Sequence, residues 1–211
     1  MHTDSQWKAL AKDISSQEWI EEYNKIYKNH NEANYSGNFY SFLNKEPLAW
    51  AYRFILSSIN SLDTSDLKIL EIGCLNGFFI EKLLEEGYDV IGGDIIHEAI
   101  KLGNAHLSSY GERLFFMDIN NLPRESNEFD VTLCVETLEH IRNYKGAIAE
   151  LIRVTKPGGR VLITVPHLNK VKSPYHLHSF DIKWLKDFEK SNEISIDTQD
   201  PFLFCTLKVG K

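Results

Sequence analysis

The chain reads as an α/β protein built on a largely parallel sheet, and three observations carry that reading. Strand-like runs at 68–72, 89–93, 113–117, 130–135 and 160–165 alternate with helix-like periodicity at 77–86, 97–107 and 143–154. That alternation is the pattern of right-handed strand–helix–strand crossovers. The first run breaks into a turn with glycines at Gly73 and Gly77, and the second ends on an acid, Asp94. Together they describe a nucleoside-cofactor site at the carboxyl edge of a sheet. The spacing is not the dinucleotide one, because Gly-x-Gly-x-x-Gly would need glycine where Leu75 stands.

Each element follows from local pattern. Residues 1–66 are dense in aromatics and read as a helical N-terminal cap, with the cofactor domain at 67–211. Within the cap, Ser15-x-x-Glu18 forms a capping-box pattern ahead of an apolar face. Residues 29–44 are rich in Asn, Ser and Gly and read as a loop, and Pro47 sits in the first turn of a helix reaching about Ile59. Lys156-Pro-Gly-Gly159 reads as a stop before the fifth strand. Beyond it come a loop (166–180), a helix (181–190) and two strands, 194–198 and 202–208, turned by Asp200-Pro201 into an antiparallel hairpin.

Composition narrows the function classes. At 211 residues the chain suits one α/β domain with an appended segment. The formal net charge of −7 and the lack of a Lys/Arg block disfavour a long nucleic-acid backbone as partner. Cys74, Cys134 and Cys205 are scattered, without metal or redox spacing, as in a reducing compartment. With no signal-like start and no run near the ~18 apolar residues of a spanning helix, a cytoplasmic location is expected.

Two constellations carry chemistry. The first is a set of acids at successive strand ends: Glu71, Asp94 and Asp118, the last followed by Ile119. The second follows the fourth strand as Glu136-Thr-Leu-Glu139-His140, with His167, His176 and His178 downstream. If 136–140 is a helical turn, Glu136, Glu139 and His140 share one side, a donor set suited to a divalent cation.

These motifs resemble the class I S-adenosylmethionine (SAM)-dependent methyltransferases. The likeness runs through Glu71-Ile-Gly73-Cys-Leu-Asn-Gly77, Gly92-Gly-Asp94, Met117-Asp118-Ile119, Asn121-Leu-Pro123, Phe129-Asp130-Val131, Glu136-Thr-Leu-Glu139-His140 and Lys156-Pro-Gly-Gly159, about half of the chain. It implies a Rossmann-like fold whose seven-stranded sheet has the order 3-2-1-4-5-7-6, mostly parallel with the last strand antiparallel. Glu71, Gly73, Cys74 and Gly77 would then border the methionyl end of SAM. Asp94 would take the ribose hydroxyls, with Ile95 beside it among the cofactor-binding residues, Asp118 would take the adenine amino group, and Ile119 would cover the ring. Val135 would lie beside the sulfonium.

The Glu-x-x-Glu-His turn with a later His-x-Phe also resembles two metal-using groups, the ubiquinone-biosynthesis O-methyltransferases and the small-RNA 3′-end 2′-O-methyltransferases. By that likeness the ligands would be Glu136, Glu139, His140 and one of His176 or His178, with His178 the candidate ligand. In a metal-free site His140, with Glu136, would be the catalytic pair and His140 the general base. Tyr35, Phe39, Tyr40, Tyr175 and His176 are candidate substrate contacts. The expected activity is methyl transfer to a small-molecule acceptor, at a hydroxyl oxygen. The competing readings are a metal-dependent RNA 2′-O-methyltransferase and a SAM-binding module without turnover.

Overall fold

The computed structural model describes Glu21 and residues 46–62, 66–168 and 176–210. The Ser15 capping box, the 29–44 loop, Tyr35, Phe39, Tyr40 and Tyr175 lie outside the described residues. The elements are α1 (Glu46–Asn60), β1 (Lys68–Ile72), α2 (Phe78–Glu85), β2 (Asp89–Asp94), α3 (His97–His106), β3 (Leu114–Phe116), β4 (Phe129–Val135), α4 (Tyr144–Val154), β5 (Thr155–Pro166), β6 (Asn192–Gln199) and β7 (Phe202–Val209). The strands form one seven-stranded sheet in the order β3-β2-β1-β4-β5-β7-β6. Only β7 runs against its neighbours, pairing antiparallel with both β5 and β6.

Buried strands explain why the sheet reads as apolar runs rather than clean alternation. On β5, Val161, Ile163 and Val165 face one core with Ala147, Ile148, Leu151 and Val154 of α4. Leu162 faces the opposite core, shared with Ile80 and Leu83 of α2 and with Ala51, Ile55 and Ile59 of α1. Both isoleucines of α1 are essentially inaccessible to water, and burying such a side chain stabilises by about 1.5–3 kcal/mol. Arg160 also donates to the Ser58 carbonyl at 2.6 Å. Helix α1, drawn from the segment expected to cap the domain, therefore supplies part of its core. No described helix is long and apolar enough to cross a membrane.

Three local expectations are corrected. Lys156-Pro-Gly-Gly159 lies inside β5 rather than before it: pairing passes from Phe129–Thr155 to Val131–Arg160, so the extra residues bulge out of the ladder. Lys156 Nζ anchors the bulge on the Asp130 carboxylate at 2.8 Å. The segment 181–190 is a series of turns with a 3₁₀ turn at Lys186–Phe188, not an α-helix. Its buried Trp184 and Leu185 are adjacent rather than three or four apart, so they do not form the stripe that a docked helix buries. Residues 136–140 are not one helical turn either: a 3₁₀ turn covers only Leu138–His140, and Glu136 is left-handed at φ 47°.

The glycine after β1 is required by the protein's own packing. Gly73 has φ 82°, and a Cβ there would lie 2.1 Å from Thr137 Oγ1. Gly158 has a similar φ of 81° but open space around it. Both substitutions to alanine incur the left-handed penalty of about 1–2 kcal/mol; only Gly73→Ala adds an overpacking cost of about 1–3 kcal/mol. Urea unfolding should therefore rank Gly73→Ala well below Gly158→Ala in stability. Equal losses would mean that the Thr137 contact is not a constraint.

Candidate active site

The cofactor-side residues converge because adjacent strands end level. Gly73 and Cys74 both donate to the Gly93 carbonyl, at 2.8 and 3.2 Å, laying the turn after β1 beside the end of β2. Leu75 takes φ 49°, a conformation that is uncommon outside glycine, and so turns its N–H onto Asp94 Oδ2 at 2.8 Å. Asp94 Oδ1 accepts from Ile96 N at 3.0 Å. Asp94 is thus fixed by backbone amides on both oxygens, with the Ile95 amide adding to them, and a carboxylate's four acceptor positions leave room for a ribose hydroxyl. One strand further out, Met117 N donates to the Asp94 carbonyl at 3.0 Å, bringing Asp118 to the same rim. Asp118 is half-buried and Ile119 buried. One Asp118 oxygen is engaged by Asn120 N at 2.9 Å.

Glu71 ends β1 with 2 % exposure, and its Oε2 has no hydrogen-bond partner among the described residues. A buried, unsatisfied carboxylate oxygen is costly unless something polar meets it. That fits the ammonium end of SAM, and two-point retention of Asp94 fits its ribose. Cys74 and Val135 are buried beside this rim, and Ile95 is half-buried.

On the acceptor side, the structure brings together Glu139, His140 and His176. One potential ligand atom from each lies within 4.8 Å of the others. His140 Nε2 is 3.8 Å from Glu139 Oε1, and the two imidazoles meet edge to face at 5.0 Å. Glu139 is 1 % exposed and its Oε2 has no partner among the described residues. Burial and then the charge of Glu136 push its carboxyl well above the usual range. Glu136 itself turns away from the triad. Its Oε1 accepts from Thr164 Oγ1 at 2.9 Å, and its N–H donates to the same hydroxyl at 3.2 Å. His178 is likewise not in the triad, its Nε2 lying 2.9 Å from the Ile141 carbonyl. His167 sits 3.1 Å from Asp200 at the far end of β5.

Sequence reasoning did not single out Thr164, the partner of Glu136, and it marked Leu75 only as standing in a glycine position, not for the amide that orients Asp94. A hydroxyl among Val161-Leu-Ile163 and Val165 was the available signal for the first; the glycine position was the signal for the left-handed backbone of the second.

The fold and this rim are those of a class of α/β enzymes that hold a nucleoside cofactor at the carboxyl edge of the sheet. Residues 70–163 match the family model described as "Methyltransferase domain". A ubiquinone biosynthesis O-methyltransferase of Rickettsia canadensis is 29 % identical over 161 residues, covering 75 % of this chain and 66 % of that protein. The chain therefore spans just under two thirds of that relative's length. Among solved structures, the phosphoethanolamine N-methyltransferase 2 of Haemonchus contortus, in complex with S-adenosyl-L-methionine, superposes with a TM-score of 0.65 at 15 % identity, covering 79 % of this chain and 52 % of that one. The PH0226 protein of Pyrococcus horikoshii gives 0.64 at 15 % identity, over 80 % and 93 %. Residues 70–163 thus carry a methyltransferase domain, and these likenesses support a class I SAM-dependent methyltransferase with SAM as its cofactor.

The buried acids make stability pH-dependent with a defined sign. Desolvation, with the Asp94 charge behind it, raises Glu71 from 4.5 to about 8. Desolvation raises Asp94 to about 6 against the lowering by the Leu75, Ile96 and Ile95 amides. A carboxyl raised in the folded state holds its proton there after the unfolded chain has lost it, so stability falls as pH climbs through that interval. Glu136 and Glu139, raised by burial, act in the same sense; Glu150, held low by its bond to Arg153, opposes them only below the ordinary carboxylate range, and His178, lowered by burial, opposes them only below its ordinary value of 6.5. The ligand-free protein should lose Tm steadily from about pH 5 to about pH 8, and saturating SAM, which is cationic, should flatten the slope. A Tm that is constant or rises across this window would contradict the assignment of burial to Glu71 and Asp94.

Proposed function

We propose that the protein transfers the methyl group of SAM to a hydroxyl oxygen of a small-molecule acceptor, in the cytoplasm. The carrying observation is the Glu139–His140–His176 cluster at the exit of β4, its carboxyl buried and its two imidazoles half-buried. Bound SAM supplies an already activated methyl group on a sulfonium, so the residues have three tasks: hold, align and deprotonate. Glu71, Asp94 and Asp118 hold. The turn after β4 aligns the acceptor oxygen, and alignment of this kind can supply about 7–11 kcal/mol of barrier lowering. His140 takes the hydroxyl proton, with the Glu139 carboxyl 3.8 Å from its Nε2. The name of the Rickettsia relative supports an oxygen acceptor, the three unpaired cysteines support a reducing compartment, and the net charge of −7 weighs against an RNA acceptor.

The same triad favours a second reading of its chemistry, in which Glu139, His140 and His176 hold a divalent cation. One carboxylate and two imidazoles suit a borderline metal better than an all-oxygen one, and the unpartnered Glu139 Oε2 supports an incoming positive charge. A cation there supplies positive charge beside the acceptor oxygen.

The test is calorimetry with SAM and S-adenosylhomocysteine, followed by mass spectrometry on matched panels of phenols, alcohols and amines with and without chelator. O-methylated product supports the proposal, and its loss with chelator selects the cation reading. Amine products alone, or no affinity for either nucleoside, would sink it.

A further inference from the structure

The segment 176–180 crosses the exit of β4 as an extended strap, and its fastenings are unequal in kind. At one end the Phe180 carbonyl accepts from Leu168 N at 2.6 Å, and Phe180 pairs with His167. At the other, the Glu139 carbonyl accepts from Leu177 N at 2.7 Å and from His178 N at 3.3 Å. Backbone bonds of this sort fix direction, but any sequence could make them. The side-chain fastening belongs to His178. Its Nε2 reaches the Ile141 carbonyl at 2.9 Å, and its ring packs edge to face on Tyr144 at 4.8 Å and lies 6.1 Å from Phe180.

A carbonyl can only accept, so the Nε2 of His178 carries the proton and only Nδ1 keeps a lone pair, and His178 places no ligand atom in the cluster. Its neighbour two positions earlier behaves differently: the His176 ring lies against His140 and belongs to the triad. Residues 176 and 178 are separated by one residue, and the amides of Leu177 and His178 share the Glu139 carbonyl. Fixing the His178 ring therefore restrains the short stretch of backbone that carries His176.

We propose that His178 is a positioning residue: its imidazole pins the strap to Ile141 and thereby delivers His176 to Glu139 and His140. The proposal rests on the reading of those three residues as the acceptor-side cluster. It gives the two histidines of His176-Leu-His178 separate tasks, one in the cluster and one holding the register that puts it there.

Three variants of the full chain test it: His178→Leu removes the pin, His178→Gln keeps an amide donor close to the Nε2 position, and His176→Ala leaves the pin intact. The readouts are amide hydrogen exchange at Leu177, Co²⁺ titration followed by its visible absorption, and SAM affinity as the folding control. In His178→Leu, exchange at Leu177 should quicken about tenfold or more, the signature of local opening. Co²⁺ affinity should fall with it while SAM affinity holds. His178→Gln should restore both, and His176→Ala should weaken Co²⁺ without changing exchange. If His178→Leu matches the wild type in exchange at Leu177, the proposal is overturned, and the same holds if Gln fails to rescue while SAM affinity is intact. Absence of Co²⁺ binding by the wild type would remove the cation reading alone, and the exchange result would still decide the role of His178.

Discussion

Asp94→Ala is expected to weaken SAM binding at least about 100-fold, or about 2.7 kcal/mol. Two causes add. The ribose loses a charged acceptor, worth about 1.5–3 kcal/mol per hydrogen bond. The Leu75 and Ile96 amides, now at 2.8 and 3.0 Å from the carboxylate, also lose their partner, so the left-handed turn at Leu75 loses the bond that offsets its strain. Asp94→Asn separates the two: it keeps one acceptor oxygen but turns an NH₂ towards an N–H or a hydroxyl, and should fall between wild type and alanine. Calorimetric dissociation constants for SAM check both, and an Asp94→Ala affinity within about threefold of wild type would be incompatible with this rim as the ribose site.

His140→Ala should have the largest effect on turnover, lowering kcat by about 10²–10⁴, the usual worth of a positioned acid–base group. SAM affinity should stay within about twofold, because His140 stands on the turn after β4 and not among the strand-end acids. Glu139→Gln should cost activity comparably without loss of thermal stability. It replaces a buried carboxyl, one of whose oxygens has no described partner, with a neutral group of the same shape. Together the pair divides cofactor binding from chemistry. A His140→Ala protein that keeps wild-type kcat on an O–H acceptor would assign the proton transfer elsewhere.

The fold was legible to an unusual depth because its signals are local. Strand runs 68–72 and 89–94 and helices 97–106 and 144–154 are each set by short-range periodicity and turn chemistry, and a parallel sheet admits few ways to connect them. The acids at 71, 94 and 118 were legible for the same reason, since a strand end is a position in sequence. The misread elements share a different cause. Lys156-Pro-Gly-Gly159 carries the residues of a stop but forms a bulge, which the Lys156–Asp130 pair anchors to the adjacent strand. Residues 181–190 have helical composition, yet only Trp184 and Leu185 are buried there, too short a face for a docked helix.

The acceptor side shows the limit most sharply. Sequence spacing grouped Glu136 with Glu139 and His140 and left His176 and His178 as equals. The folded chain separates them: Thr164, on a different strand, draws Glu136 away, and Ile141 engages His178, leaving His176 to meet the cluster.

The sequence by itself determined the methyltransferase likeness, the order of strands and the placing of acids along one sheet edge, because those depend on patterns within tens of residues. Only the tertiary structure decided which carboxylate and which imidazoles come together after β4. That choice rests on single hydrogen bonds to residues distant in the chain, and a directional bond of about 3 Å leaves no periodic trace in the sequence.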